Sequence, residues 1–171
     1  SEAPIAEWDT HNKNLREKTD WLNSMNFSSL HYDGPGTSLE VGLADDHEWM
    51  GGASEAQNGI ICNPNIPSEE VFTTPHAHRV NGNVCSTKPL SYQGTLIEDI
   101  KVEFKDGKIV NASSSKGENV LLKVLDSDEG SRRLGEVALV PNSSPISQLG
   151  ITFYNTLFDE NAASHIALGQ C

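Results

Sequence analysis

The chain has 171 residues, of which 36% are hydrophobic and 21% are charged, and its formal net charge is −12. This length predicts one domain, and the composition excludes an intrinsically disordered chain. The negative charge argues against nucleic acid and anionic membranes as partners, no apolar run approaches the ~20 residues of a membrane span, and the first residues do not resemble a signal peptide.

The N-terminal segment, residues 3–26, has the periodicity of an amphipathic helix. Trp8, Leu15 and Leu22 recur at intervals of seven residues, with mostly polar residues between them. Such spacing places the three apolar side chains on one face of a helix. We therefore expect a helix that packs either on the rest of this domain or on a larger unit to which it belongs.

A change to period two after Ser28 predicts β-strands. Leu39, Val41 and Leu43 alternate with polar or small neighbours, which is typical of a strand with one buried face. The Gly-Pro-Gly sequence at residues 34–36 separates this strand from a preceding one, because glycine and proline interrupt regular secondary structure.

Two dipeptides predict β-hairpins further along the chain. Asn81-Gly82 and Asp106-Gly107 both lie between apolar segments, and such dipeptides favour the tight turns that join antiparallel strands. We expect the first hairpin within residues 80–84. The strands of the second hairpin are predicted at residues 100–104 and 109–112.

The later part of the chain supplies the remaining predicted elements. Residues 116–126 have apolar side chains at helical spacing, and residues 137–140 form an apolar strand that ends at Pro141. The apolar run at residues 151–158 predicts a further strand. This order of elements favours an α+β fold, mostly antiparallel sheet, with an N-terminal helix and one or two further helices.

The cysteines predict a reducing compartment. Cys62, Cys85 and Cys171 are odd in number and widely spaced, and no CxxC or zinc-finger spacing is present. A disulfide framework is therefore not expected, and we predict a cytoplasmic protein. The sequence also lacks the GxSxG, P-loop and GxGxxG motifs, so a nucleophilic mechanism has no support.

His76 and His78 form the most obvious candidate metal site. Side chains at positions i and i+2 of a strand lie on the same face and can bind one metal ion. The next acidic residue after His78 is Glu98, so the pair lacks nearby ligands that would complete the site. Two surface histidines are the favoured interpretation, and a single-metal site at this pair is kept as an alternative.

Carboxylates and one histidine offer a second set of candidate ligands. Glu69 and Glu70 are adjacent, so in a strand they would point to opposite sides and one of them could face a site. Glu136 interrupts an apolar strand, where a carboxylate either binds a cation or a strong donor or marks an exposed strand end. Glu160 and His165 flank small residues, and carboxylate with imidazole is a ligand mixture of metallohydrolases, although a hydrogen-bonded histidine is the alternative.

Five segments together resemble one enzyme family. They are WDTHNKNL at residues 8–15, PSEEVFTTP at 67–75, STKPL at 86–90, RLGEVALV at 133–140 and ITFYNTLFDENAASHIALG at 151–169. This pattern is similar to the metallo-aminopeptidase family of aminopeptidase T, aminopeptidase S and PepS, and the similarity covers essentially the whole chain. Several ordered blocks are more specific than any single short motif.

The resemblance implies a two-metal exopeptidase that removes N-terminal residues from peptides. By position, its metal ligands here are Glu70, Glu136, Glu160 and His165, which would hold two divalent ions (zinc, cobalt or manganese). Two such ions lie about 3.5–4 Å apart in hydrolases, where they acidify a shared water and polarise the scissile carbonyl. Glu136 would bridge the ions and Glu69 would accept the proton from water, which makes both residues catalytic.

The resemblance also predicts how the chain relates to a longer protein. Residues 1–26 would be a leading helix, and residues 27–171 a catalytic metal-binding domain truncated at its C-terminus. Family members are more than twice as long, with an N-terminal α/β domain and, after this region, a Tyr, a His and an Asp that complete the site. We therefore expect a fragment without full activity, from a protein that forms homodimers.

An alternative from another functional class is a non-catalytic module. In that case the acidic α+β domain would serve in packing or dimerisation, and its carboxylates would only keep the protein in solution. Saturable binding of zinc or cobalt distinguishes the two hypotheses, because the module has no metal site.

Overall fold

The structure, a computed structural model, describes residues 2–169. In chain order the helices and strands are α1 (Pro4–Met25), β1 (Ser29–Gly34), β2 (Thr37–Leu43), β3 (Ser54–Glu55), β4 (Ile61–Cys62), β5 (Val71–Thr73), β6 (Pro75–Cys85), β7 (Leu90–Tyr92), β8 (Thr95–Ile97), β9 (Lys101–Lys105), β10 (Lys108–Ser113), α2 (Glu118–Leu125), β11 (Leu134–Leu139), α3 (Pro145–Leu149), α4 (Thr156–Glu160) and β12 (His165–Leu168). None of the helices in the described part has the length and apolar character needed to cross a membrane.

Antiparallel pairing builds both of the larger sheets. The first sheet has five strands in the order β1-β2-β6-β9-β10, and the second has three strands in the order β12-β11-β5. Two short hairpins, β3-β4 and β7-β8, lie outside these sheets. The predicted α+β fold, with mostly antiparallel sheet and an N-terminal helix, is therefore confirmed.

One hydrophobic core joins the sheets and helices. The alternating residues Leu39, Val41 and Leu43 of β2 are at most 1% exposed, and burial of side chains of this size stabilises a fold by about 1.5–3 kcal/mol each. Leu15 and Leu22 of α1 belong to the same cluster, so the apolar face of this helix packs on the sheet. The other buried members are Trp49, Val71, Val80, Ile97, Val102, Phe104, Ile109, Leu121, Leu125, Leu134 and Val137.

The predicted hairpin at Asp106-Gly107 is confirmed. Strands β9 and β10 flank it and pair in antiparallel register. Both turn residues have positive φ, 50° at Asp106 and 79° at Gly107, which is the backbone conformation of the tight turns that this dipeptide favours. The predicted helix at 116–126 is also present, as α2.

The predicted hairpin at Asn81-Gly82 is wrong, because β6 runs without interruption through both residues. Gly82 has a φ of 117°, and a Cβ at this position would lie 2.1 Å from the carbonyl oxygen of Ser38 in the neighbouring strand β2. Asn81 instead accepts a hydrogen bond from the backbone N–H of Asp106. The glycine therefore permits a close approach of two strands, a role that the dipeptide alone does not reveal.

The predicted strand at 151–158 is also wrong. This segment is irregular up to residue 155 and then begins α4. The Asp159 carboxylate accepts hydrogen bonds from the backbone N–H groups of Phe153 and Asn155, and the rings of Phe153 and Phe158 pack with centroids 5.3 Å apart. The apolar residues thus pack locally in a compact turn, and the strand from this end of the chain that pairs with β11 is β12.

Gly82→Ala is expected to destabilise the protein by roughly 1–3 kcal/mol, since its Cβ would clash with the β2 backbone and its φ is one that L residues rarely adopt. Gly34→Ala is the matched control, because nothing lies within 4 Å of a Cβ built there. Urea denaturation followed by circular dichroism measures both free energies of unfolding. An unchanged midpoint in Gly82→Ala would show that β2 and β6 are not held this closely.

Candidate metal centre

The three-stranded sheet brings Glu70, Glu136 and His165 to one face. Ala138 of β11 pairs with His165 of β12 on one side and with Phe72 of β5 on the other. Glu136 precedes Ala138 by two residues, and Glu70 precedes Phe72 by two. Because side chains two residues apart along a strand lie on the same face, the register directs Glu136 and His165 to the same side of the sheet, and Glu70, directly before β5, joins them there.

The polar atoms of these side chains converge into what we call the Glu70–Glu136–His165 cluster. One carboxylate oxygen of each glutamate and one ring nitrogen of the histidine all lie within 4.8 Å of one another. Nε2 of His165 is 3.1 Å from Oε2 of Glu70 and 3.7 Å from Oε1 of Glu136. The side chains of Glu70, His165 and Glu136 are 11%, 20% and 26% exposed, so the cluster is largely desolvated.

Two buried atoms of the cluster, Oε2 of Glu70 and Nε2 of His165, have no hydrogen-bond partner. Their 3.1 Å contact brings two acceptors together when the ring is neutral, and an unsatisfied buried polar atom is unfavourable by about 1–3 kcal/mol. Nδ1 of His165 lies 3.0 Å from the carbonyl oxygen of Ala163, so in the neutral ring Nδ1 donates and Nε2 presents its lone pair to the cluster. Two carboxylates and this nitrogen fit a divalent cation such as zinc, cobalt or manganese.

The pKa shifts at the cluster indicate that its carboxylates require a positive charge nearby. Burial alone would lower the pKa of His165, but the adjacent carboxylates of Glu136 and Glu70 outweigh burial and raise this pKa to about 10. Burial, followed by the negative charge of Glu70, raises the pKa of Glu160. In the metal-free protein a proton on His165 therefore supplies the positive charge that the carboxylates require.

Glu160 borders the cluster without belonging to it. It is the last residue of α4, and the charges of Glu70, His165 and Glu136 all act on its pKa. Its oxygens are not among the converging atoms of the described residues. The role of fourth ligand therefore stays a prediction for Glu160.

Glu69 has different surroundings from its neighbour Glu70. Its Oε1 lies 3.9 Å from Nε2 of His11 in α1, and its backbone N–H donates to Oδ1 of Asn161 at 2.6 Å. Of the two adjacent glutamates, it is thus Glu70 that enters the cluster, and its role as a metal ligand stays a prediction. The catalytic role of Glu69 stays a prediction.

The histidine pair on β6 is not brought together with further ligands. His78 donates its backbone N–H to Nδ1 of His76 at 3.1 Å, and the two rings are 6.0 Å apart. Within residues 2–169, the only group of three or more potential ligands is the Glu70–Glu136–His165 cluster. Among the cysteines, Cys62 and Cys85 are free thiols, and Cys171 lies outside the described residues.

Sequence reasoning missed one residue next to the cluster, Asn161. This residue is 0% exposed and forms hydrogen bonds to the backbone on both sides of Ser68. Its local sequence, Asp-Glu-Asn-Ala-Ala-Ser, is polar and rich in small residues, which is typical of an exposed turn. No local signal therefore marks Asn161 as buried.

The sequence matches known aminopeptidases along its whole length. Residues 1–171 match the family described as thermophilic metalloprotease (M29). Aminopeptidase T of Thermus thermophilus is 56% identical over 169 residues, which are 99% of this chain and 41% of that protein. Aminopeptidase 2 of Geobacillus stearothermophilus is 52% identical over 167 residues, which are 98% of this chain and 40% of that protein. The chain thus spans about two fifths of the length of these curated relatives.

Solved structures share the fold. Wild-type AmpT from Thermus thermophilus matches with a TM-score of 0.94 at 56% identity, covering 98% of this chain and 42% of that chain. A 2,5-dihydroxypyridine dioxygenase from Pseudomonas putida KT2440 matches with a TM-score of 0.59 at 15% identity, over 89% of this chain and 46% of that chain, a likeness of fold alone. The family resemblance seen in the sequence is confirmed, and the chain belongs to the thermophilic metalloprotease (M29) family.

Proposed function

We propose that the protein containing this chain is a metal-dependent aminopeptidase that releases N-terminal residues from peptides, with Glu70, Glu136 and His165 as ligands of a divalent cation. The observation that carries the proposal is the convergence of these three side chains with two buried atoms, Oε2 of Glu70 and Nε2 of His165, left without hydrogen bonds. Such atoms are satisfied when a cation lies between them. The relatives named as aminopeptidases support the choice of reaction.

A second cation and Glu160 as a further ligand extend the proposal. The raised pKa of Glu160 supports this extension, because it shows a partly desolvated carboxylate within range of the charges of the cluster. Three carboxylates and one imidazole carry more negative charge than one divalent ion neutralises. Zinc, cobalt and manganese all accept this mixture of oxygen and nitrogen ligands.

The side chains of the cluster have separable roles in this proposal. Bound divalent cations supply Lewis acidity, which polarises a peptide carbonyl and acidifies water. Ala163 orients His165 through its carbonyl oxygen, and Glu136 stands on the central strand β11 as the proposed bridging ligand. Glu69 stays the predicted proton acceptor, although its carboxylate lies near His11. Homodimer formation and a cytoplasmic location also stay predictions.

Calorimetric titration of the full chain with Co²⁺ is expected to show saturable binding. Glu136→Gln and His165→Ala should each weaken it by at least about tenfold, because the first removes the negative charge of a ligand and the second removes a ligand nitrogen. Glu129→Gln removes the same charge at an exposed position and should leave the affinity unchanged. A joint His76→Ala and His78→Ala variant should likewise bind as the wild type does.

Two results of this titration would contradict the proposal. Wild-type protein without saturable binding would favour the non-catalytic packing module. A loss of binding confined to the His76 and His78 variant would place the metal site on β6.

In the whole protein, Glu136→Gln is expected to lower kcat/KM for release of an N-terminal residue by at least about 100-fold, since the cation contributes several kcal/mol to such reactions. Glu129→Gln again serves as the control.

The stability of the metal-free protein should depend on pH through His165. Its pKa is raised from 6.5 to about 10 in the folded state, so its contribution to stability is complete below about pH 6.5 and is lost as the pH rises towards 10. The difference in free energy of unfolding between wild type and His165→Gln, measured with urea in the presence of chelator, should shrink over this range. A difference that stays constant would mean that His165 is not charged in the cluster.

A further inference from the structure

Both polar atoms of the buried Asn161 side chain form hydrogen bonds. Its Oδ1 accepts a hydrogen bond from the backbone N–H of Glu69 at 2.6 Å. Its Nδ2 donates to the carbonyl oxygens of Leu157 at 2.9 Å and of Pro67 at 3.5 Å. The residue is 0% exposed. A shorter side chain would therefore leave the backbone groups of Glu69 and Leu157 without these hydrogen bonds, because water does not reach them unless the surrounding structure rearranges.

These hydrogen bonds connect two segments that carry cluster residues. Pro67 and Glu69 belong to the short segment that leads into Glu70, and an oxygen of Glu70 is one of the converging atoms. Leu157 belongs to α4, the helix that ends with Glu160. Asn161 itself follows Glu160 directly and leads into the turn before His165. One side chain therefore fixes the position of the Glu70 segment relative to the Glu160 and His165 segment.

The backbone of Asn161 is held as well. Ser144 is 3% exposed and its hydroxyl donates to the carbonyl oxygen of Asn161 at 3.4 Å. The same hydroxyl accepts from the backbone N–H of Ser147 at the start of α3. The backbone of Asn161 is thus held by Ser144 at the start of α3, and its side chain is held by the segment before Glu70. These contacts make Asn161 a rigid connection rather than a mobile turn residue.

We infer that Asn161 is a positioning residue of the metal centre, which sets the separation of Glu70 from Glu160 and His165 without touching the metal itself. This inference rests on the proposed function of the cluster. Residues that hydrogen-bond directly to metal ligands typically contribute about 10–100-fold to metal affinity, and Asn161 acts on the ligands through the backbone of the segments that carry them. Because the ligand positions change by small displacements when such a residue is lost, the effect should appear in the affinity and in the ligand geometry, besides any loss of stability.

The test is Co²⁺ titration of the full chain, with calorimetry for affinity and visible absorption for the geometry of the bound ion. Asn161→Ala should weaken Co²⁺ binding by about 10–100-fold and shift the absorption bands. Asn23→Ala is the control, because the side chain of Asn23 likewise donates to a backbone carbonyl and accepts from a backbone N–H, both of Trp49, which is not a candidate ligand. Asn23→Ala should lower the melting temperature and leave affinity and spectrum unchanged.

A second variant, Asn161→Ser, stays neutral and polar, but its side chain is too short to hydrogen-bond to both Glu69 and Leu157. The positioning role predicts weaker Co²⁺ binding in this variant as well, and it decides the question if Asn161→Ala does not fold. The inference is overturned if whichever variant folds binds Co²⁺ as tightly as the wild type. Failure of the proposed function is distinguishable, because the wild type would then bind no Co²⁺ saturably.

Discussion

A concentration of negative charge on one face of a small sheet is the constraint on which this structure depends. Glu70 and Glu136 are held partly out of water and face the same point, with Glu160 at the border. Carboxylates in such surroundings repel one another unless a cation or a proton lies among them. The strand pairing and the buried hydrogen bonds of Asn161 therefore hold together groups that would otherwise separate, and cation binding relieves the same repulsion.

Much of the fold could be predicted because its signals are local. The alternation of Leu39, Val41 and Leu43 and the turn at Asp106-Gly107 express preferences of neighbouring residues. The turn predicted at Asn81-Gly82 failed for a non-local reason, since the glycine there accommodates the backbone of an adjacent strand. The apolar run at 151–158 failed because apolar composition does not distinguish a strand from a compact turn, and the decisive contact is the Asp159 carboxylate with the backbone.

The candidate site was less accessible to sequence reasoning. The spacing of Glu70, Glu136 and His165 along the chain contains no motif, and these residues meet only because β5, β11 and β12 pair with one another. The residues could be selected as candidates one by one, but their grouping as one ligand set came from the resemblance to known aminopeptidases, and only the structure distinguishes Glu70 from Glu69. Asn161 was missed because burial of a polar residue in a polar segment depends on which other segments cover it. Such residues become visible only when the backbone partners of the side chain are known.

The central position of β11 has a consequence for synthesis of the protein. Its two partners are β5, which precedes the middle of the chain, and β12, which is the last strand of the described residues. Joining them requires closure of long loops, which is slow and late in folding. A chain still emerging from the ribosome has β5 but not β12, so it has no assembled centre.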